Sequence, residues 1–350
     1  MSNRNNNLRQ AEKNKRDEFY TQLKDIKDEM QYYKPHFENK VIYMNADHPD
    51  YSNFWQYFKS QFNDFKIKKI ISTFWSENGK SFKTVYDGDV ERRTPLKGDG
   101  DFRSDECIAI LKKSDIIITN PPFSLFRELI DLLIDYEKHF IILGNNNSIT
   151  TKEIFPLIKR NKMWLGMKSN ATIEFEVPDN YSLNKNGRID SNGRKYLKVP
   201  AITWFTNLDY PKHHEDLLLW ASYEDSEHEY LKYDNYGAIN VNRVADIPYD
   251  YEGVMGVPIS FMGKWNPNQF EIIGLGVNND FFTPSKLYIN PMKHMGDKVC
   301  KCGSINQFLM INVKDKPNGV YYTADNVEGY LTAPYARILI RNRRPSKIDI

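Results

Sequence analysis

The chain has 350 residues, enough to bury a substantial core as one large α/β domain with additions or as two domains. Its 40% hydrophobic and 27% charged residues describe a globular protein, and a formal charge of only +2 means that a polyanion would be met by local basic patches. No apolar run reaches the roughly 18 residues of a membrane span, the N-terminus has no signal-peptide core, and three cysteines are too few for a disulfide framework, so a cytoplasmic protein with no membrane partner is expected.

Residues 1–16 are Asn-rich and basic without apolar periodicity, which predicts a flexible basic arm. Phe19, Leu23, Ile26, Met30 and Tyr33 then recur three or four apart, the stripe of an amphipathic helix that Pro35 ends. "KVIYMNA" reads as a short buried strand, "YSNFWQYFKSQFNDF" as a helix through Phe54, Tyr57, Phe58, Phe62 and Phe65, and "IKKIISTFW" as a second strand. After a Gly/Asp-rich segment come a helix at "ECIAILKK", a strand at "DIIIT", a helix at "SLFRELIDLLIDY" and a strand at "HFIILGN". Such alternation predicts a parallel sheet covered on both faces. Beyond residue 165, "ATIEFEVP" and "LKVPAITWFTN" suit an antiparallel hairpin around the loop "NYSLNKNGRIDSNGR". From Leu208 onward the sequence is rich in Pro, Tyr, Asn and Gly, with short strand candidates such as "FEIIGLG" and "ARILIRNR". The expected division is therefore an α/β domain over 17–207 and an irregular region over 208–350.

The chemistry concentrates where "DIIIT" meets Asn-Pro-Pro-Phe, because ligands gather outside the carboxyl ends of strands in an open parallel sheet. Two prolines fix φ twice and remove two N–H donors, which holds the backbone extended. Asn120 adds a side-chain carbonyl beside the carbonyl of Pro121, and two converging acceptors suit an NH₂ group. Phe123 supplies a ring that can stack on a flat partner; the alternative is a Pro-Pro turn with Phe123 tucked into the core. "VCKCG", with His294 nearby, lacks a fourth ligand at usual spacing, so Cys300 and Cys302 read as loop thiols and no metal is expected.

Asn-Pro-Pro-Phe matches the signature of amino-group methyltransferases that use S-adenosylmethionine, and the whole chain resembles the EcoRI adenine methyltransferase family. The resemblance implies a Rossmann-like methyltransferase sheet with a C-terminal DNA-recognition region. It implies site-specific methylation of adenine N6, on a base flipped out of duplex DNA, in a restriction-modification or mobile-element system. By the same resemblance "DEFYT" closes over the methionine end of the cofactor, which brings Phe19, Tyr20 and Thr21 to it. "VIYMNADHPDYSNF" is similar to the first cofactor loop, with Asn45, Ala46 and Asp47 where other methyltransferases have glycines. "GDGDF" resembles the loop that holds the cofactor's adenine ring, through Asp101, with Asp99 as neighbour, and through Phe102. Asn120, Pro121 and Phe123 take the catalytic places, with Asn120 also at the cofactor and Pro122 and Phe123 at the substrate base. Each segment keeps a plainer reading: Asp17 and Glu18 as helix-terminal charges, Asp47 as a helix cap, "PLKGDGDFRSDE" as a surface turn. Glu77 stands where a carboxylate often grips ribose, or is a solvated loop residue.

DNA contact is expected from Arg188, Arg194 and Lys195, with Lys185, in a basic loop beside the sheet edge. Arg337, Arg341, Arg343, Arg344 and Lys347 cluster at the C-terminus, and Arg4, Arg9, Lys13, Lys15 and Arg16 at the start; either set meets phosphates or merely solubilises. Two other functions compete. One is a methyltransferase for RNA base amines or protein glutamine, disfavoured by the loop without glycines and the long extension. The other is a non-catalytic nucleic-acid-binding module, disfavoured by the intact tetrapeptide. Double-stranded DNA is the expected partner, with no obligate protein partner and a monomeric or weakly dimeric state.

Overall fold

A computed structural model describes residues 19–346 apart from 78, 180, 225–229 and 278–280. The N-terminal arm, Asp17, Glu18 and Lys347 lie outside the described residues. The chain divides after Pro211 into two units.

The first unit is built on eleven strands: β1 (Tyr20–Thr21), β2 (Val41–Met44), β3 (Lys69–Ser72), β4 (Phe82–Tyr86), β5 (Glu91–Pro95), β6 (Ile116–Thr119), β7 (His139–Asn145), β8 (Trp164–Leu165), β9 (Ala171–Val177), β10 (Gly187–Ile189) and β11 (Lys195–Thr206). Their order is β1-β9-β11-β7-β6-β2-β3-β4-β5, with β8 and β10 paired to β11. β7, β6, β2 and β3 are mutually parallel, so their carboxyl ends share one edge. β9 and β11 form the expected antiparallel pair, and β11 joins it to β7. The hairpin β4–β5 was not expected: the buried side chain of β4 is Thr84 and β5 is polar and mostly exposed, so apolar alternation marks neither strand.

Helices α1 (Leu23–Met30), α2 (Lys34–Phe37), α3 (Asn53–Ser60), α4 (Asp105–Lys112), α5 (Phe126–Asp135) and α6 (Ile154–Lys159) connect the strands. The predicted first helix starts four residues late, because Tyr20 and Thr21 pair with β9 instead, and this takes Phe19 off the helix and onto the sheet edge. Ile26, Met30, Phe54 and Phe58 pack with Ile42, Ile118, Leu143 and Trp204 in one core. Each such side chain contributes about 1.5–3 kcal/mol of burial. On the opposite face Phe126 of α5 meets Phe205 at 4.9 Å, and Gly144 lets that ring approach, since a Cβ there would lie 2.5 Å from it.

The second unit is more regular than its composition suggests. Among the described residues it holds a four-stranded sheet of β12 (Ala238–Asn240), β13 (Val254–Pro258), β14 (Phe270–Leu275) and β20 (Arg337–Asn342). A five-stranded antiparallel sheet combines β15 (Met292–Met295), β16 (Lys298–Lys301), β17 (Ile311–Val313), β18 (Val320–Thr323) and β19 (Tyr330–Thr332). The strand candidates "FEIIGLG" and "ARILIRNR" are β14 and β20, paired antiparallel, but the expectation of an otherwise irregular region fails because the remaining strands, of three to five residues and cut by Pro, Gly and Asn, are shorter than the stretch over which alternation can be read. No helix among the described residues is long and apolar enough to cross a membrane.

Candidate active site

Four parallel strands deliver four loops to the same edge: Thr73–Trp75 after β3, Asn45–Asp47 after β2, Asn120–Phe123 after β6 and Asn146–Asn147 after β7. The β2 and β3 loops are tied together. Thr73 N–H donates to the Met44 carbonyl (3.1 Å) and Asp47 N–H to the Thr73 carbonyl (3.0 Å), while Ser72 Oγ–H donates to the Asp47 carbonyl.

The side chain of Asn120 is oriented without ambiguity. Its Nδ2 donates to the carbonyl of Phe19 at 2.7 Å, and a carbonyl can only accept, so Oδ1 faces away as an acceptor. That oxygen is buried and has no partner among the described residues. After Pro122, whose carbonyl accepts from Leu125 N–H (2.9 Å), a short 3₁₀ turn carries Phe123. The Phe123 ring is partly buried and lies 5.8 Å from Phe19 and 6.4 Å edge-on from Phe175; Phe19 in turn meets Tyr181 at 6.0 Å. Sequence reasoning brought Phe19, Asn120 and Phe123 to one place but did not single out Phe175 or Tyr181, which come from the β9 side and carry no motif.

Asp47 is placed differently from the expectation of direct cofactor contact. It is buried, and its Oδ1 accepts from Ser52 Oγ (2.7 Å) and its Oδ2 from Thr119 Oγ1 (2.6 Å). Ser52 is also the N-cap of α3, accepting from Phe54 N–H at 3.1 Å. The carboxylate therefore braces the end of β2 against the end of β6 and the start of α3. Burial pushes its pKa up to about 6, against the opposing hydrogen bonds of Thr119 and Ser52.

Asn45 and Thr21 fit a polar ligand better. Asn45 Oδ1 and Thr21 Oγ1 are buried and unpartnered among the described residues, at the ends of β2 and β1. Tyr20 is the half-buried neighbour of Thr21 on β1. Thr21 is held at this edge by its carbonyl, which accepts from Asn53 Nδ2 at 2.8 Å on α3.

The 98–104 turn is folded tightly onto the end of β3. Gly100 has φ +84°, and a Cβ there would sit 2.0 Å from the Phe74 carbonyl, so the turn requires glycine. Asp101 is half-buried and grips Arg103 with both oxygens (2.9 and 2.6 Å), and this guanidinium holds its carboxyl below the usual range. Arg103 continues to Glu128 at 2.8 Å. Phe102 is buried, while Asp99 accepts from the indole N–H of Trp75 at 3.2 Å. Trp75, 42% exposed just past β3, is a candidate that the sequence reading passed over; an exposed aromatic directly after a strand was the available signal. Glu77 is exposed.

Most of the described basic residues expected at phosphates are engaged within the protein. Arg188 binds Glu174 through two nitrogens (3.0 and 2.6 Å) and lies 4.2 Å from the Tyr196 ring; Arg194 is 3.8 Å from Glu176, and Lys195 donates to the carbonyls of Asp179 and Tyr181. Lys185 is exposed. In the second unit Arg337 is withdrawn from any phosphate role. It is 7% exposed and donates to Asn240 Oδ1 (3.1 Å) and the Tyr335 carbonyl (3.1 Å), because its place on β20 points it into the sheet's core. Arg341 and Arg344 face Glu271 (3.9 Å) and Asp216 (2.7 Å), and Arg343 donates to the Pro267 carbonyl (3.1 Å). Cys300 and Cys302 are free thiols, and no cluster of three metal-ligating side chains occurs among the described residues.

Residues 7–343 match the family described as adenine-specific methyltransferase EcoRI. The Type II methyltransferase M.EcoRI of Escherichia coli is 49% identical over 286 residues, 76% of this chain and 88% of that protein. M.MgeORF184P of Mycoplasma genitalium is 40% identical over 266 residues, 75% of this chain and 84% of its own length. M.MpnI of Mycoplasma pneumoniae is 37% identical over 313 residues, 88% of this chain and 98% of its own length. No solved structure matches the chain.

Proposed function

Because the chain belongs to the EcoRI family of adenine-specific DNA methyltransferases, we propose that the shared carboxyl edge of β2, β3, β6 and β7 is where an adenine flipped from duplex DNA is methylated at N6. The observation that carries this reading is the Asn120 amide. Its Nδ2 is committed to the Phe19 carbonyl, and its Oδ1 is a buried acceptor with no partner among the described residues. S-adenosylmethionine, the donor such an enzyme uses, supplies an electrophilic sulfonium methyl.

The orphaned oxygens of Asn45 and Thr21 fit the polar methionine end of that donor, and Phe19, Tyr20, Asp101, Phe102 and Asn120 complete the set that would hold it. Asp47 acts through Ser52 and Thr119 to set the spacing of the strands that carry these groups. The sheet order, with antiparallel β11 beyond β7, supports reading the first unit as a Rossmann-like methyltransferase domain. We assign target recognition to the second unit.

The amine lone pair of adenine is delocalised into the ring and is a poor nucleophile. Asn120 Oδ1 and the Pro121 carbonyl accept the two N–H bonds, which draws the lone pair out of conjugation and fixes its direction. The proton leaves to water afterwards, so no strong base is needed. Phe123 stacks on the extruded base, and Pro122 fixes where that ring stands. Flipping costs a few kcal/mol, of which stacking returns about 1–3. Arg188, Arg194 and Lys195 exchange their internal carboxylates and carbonyls for phosphates when DNA binds. Incubation with labelled S-adenosylmethionine and DNA, RNA or protein tests the reading directly: label should enter duplex DNA as N6-methyladenine. Label confined to RNA or protein would refute it.

A further inference from the structure

The last residue of β7 carries a second amide that the reaction as described leaves unused. Resting on the reading above, we propose that Asn145 selects and orients the flipped adenine by donating a hydrogen bond from Nδ2 to a ring nitrogen beside the amino group, N1 or N7.

The orientation of this amide is also fixed by the backbone. Asn145 Oδ1 accepts from Asn147 N–H at 2.9 Å, and an N–H can only donate, so Nδ2 is the outward group. Nδ2 is buried and has no partner among the described residues. A buried amide donor without an acceptor is costly, which marks this site as one that a ligand completes. The residue is rigidly mounted as well, since Asn145 is paired with Ile202 of β11.

Position relates this donor to Asn120. β7 runs parallel to β6, with Thr119 opposite Ile142. Ile116, Ile118, Ile141 and Leu143 share one core cluster, so the alternation that takes them inward carries Asn120 and Asn145 to the same face. Asn145 lies two residues beyond the level of Asn120 and one strand over, roughly 8 Å between backbones by strand geometry. A planar base held between the two side chains meets an acceptor from one and a donor from the other. Adenine answers both, with N6–H for Oδ1 and a ring nitrogen lone pair for Nδ2–H. Guanine would set its O6 against Oδ1. The side of the sheet agrees: β2, with the orphaned oxygen of Asn45, flanks β6 on one side, and β7 flanks it on the other. Donation to a ring nitrogen draws charge from the amine, so Asn145 is a positioning and selecting residue and does not activate the nucleophile.

The test uses duplexes bearing the site that the wild-type protein methylates, mapped first in genomic DNA, with adenine, 1-deazaadenine or 7-deazaadenine at the target. Asn145→Ser and Asn145→Asp both keep an acceptor for Asn147 N–H, so the turn retains its cap. Asn145→Ser should lower kcat/KM on adenine about tenfold, the size of one lost hydrogen bond, with cofactor affinity unchanged. The wild type should lose a similar factor on one of the two deaza bases; Asn145→Ser should be indifferent to that replacement, and Asn145→Asp, whose carboxylate opposes the ring-nitrogen lone pair, should pay no penalty for it. A variant that keeps the full deaza penalty, or that loses cofactor affinity in step with rate, overturns the inference. If the wild type methylates adenine N6 and tolerates both deaza bases, this inference fails alone. If it methylates no DNA, the underlying reading fails with it.

Discussion

Replacing Asn120 by alanine separates two roles that one side chain holds. The first is structural: the Nδ2 hydrogen bond to the Phe19 carbonyl, at 2.7 Å, is lost, and a partly buried carbonyl is left without its donor. That costs about 1–3 kcal/mol of stability, or less if water reaches the carbonyl. The second is chemical. Oδ1 is unpartnered among the described residues, so nothing in the free protein is lost with it, and on the proposed function its contribution is made to the amine as charge develops there. An acceptor realised mainly in the transition state is worth about 2.7 kcal/mol or more, so the methyl-transfer rate should fall about 10²-fold or more. Single-turnover transfer of labelled methyl at saturating DNA measures that rate, calorimetric titration measures cofactor affinity, and thermal melting reads the structural part. DNA affinity should stay largely intact, and cofactor affinity should fall far less than the rate, because the Asn120 tie to Phe19 at the cofactor is lost as well. A rate within threefold of wild type, in a protein whose melting has shifted, would mean that Asn120 only anchors Phe19, and the assigned role would be wrong.

Phe123→Ala should lower both the rate and the emission of a fluorescent adenine analogue at the target, which reports unstacking, whereas Phe123→Trp should keep much of both; emission equal to wild type would make this ring core packing against Phe19 and Phe175. Asp101→Ala frees Arg103 and loosens the 98–104 turn, so S-adenosylmethionine affinity should fall at least about tenfold; unchanged affinity removes Asp101 from the site. The Asp47 carboxyl is raised to about 6 from an ordinary 3.8, so the neutral form favours the fold: stability is fully present below about pH 4 and is lost as pH rises through 6, by up to about 3 kcal/mol. Comparing melting of wild type and Asp47→Asn from pH 4 to 8 isolates that loss from the similar shift of Glu29, and a difference that does not change with pH refutes the assignment.

What could be read from the sequence follows from which signals are local. Strand β6, its Pro-Pro stop and the helix after it are encoded within twenty consecutive residues, so the position of Asn120 at a strand's carboxyl end is legible in the sequence. The partner that orients it is not, because Phe19 reaches Asn120 from 101 residues away, by way of a two-residue strand too short for any periodicity. Asp47 shows the same limit in reverse. Its place just after β2 follows from the local strand pattern, but the side chain's direction depends on Thr119, 72 residues on.

The distribution of satisfied polar groups separates framework from site. Glu29 is buried, yet its carboxylate accepts from the N–H groups of Met167 (2.7 Å) and Lys168 (2.9 Å) and from the Tyr33 hydroxyl (3.0 Å), a closed arrangement that leaves nothing for a ligand. Asp47 is closed in the same way by Ser52 and Thr119. Thr21, Asn45, Asn120 and Asn145 each hold back one buried atom. Unpaired atoms alone do not make a site, since Thr84 Oγ1 and Trp204 Nε1 are also unpaired and follow no parallel strand's carboxyl end. What distinguishes Asn45, Asn120 and Asn145 is placement at the ends of three adjacent parallel strands. For the last two, the other half of the amide is also clamped by backbone. A side chain that rotates can satisfy itself; one held in this way stays unsatisfied in the free protein, and on the proposed function the substrate supplies the complementary group, so that the stability forgone at this edge would be returned on binding.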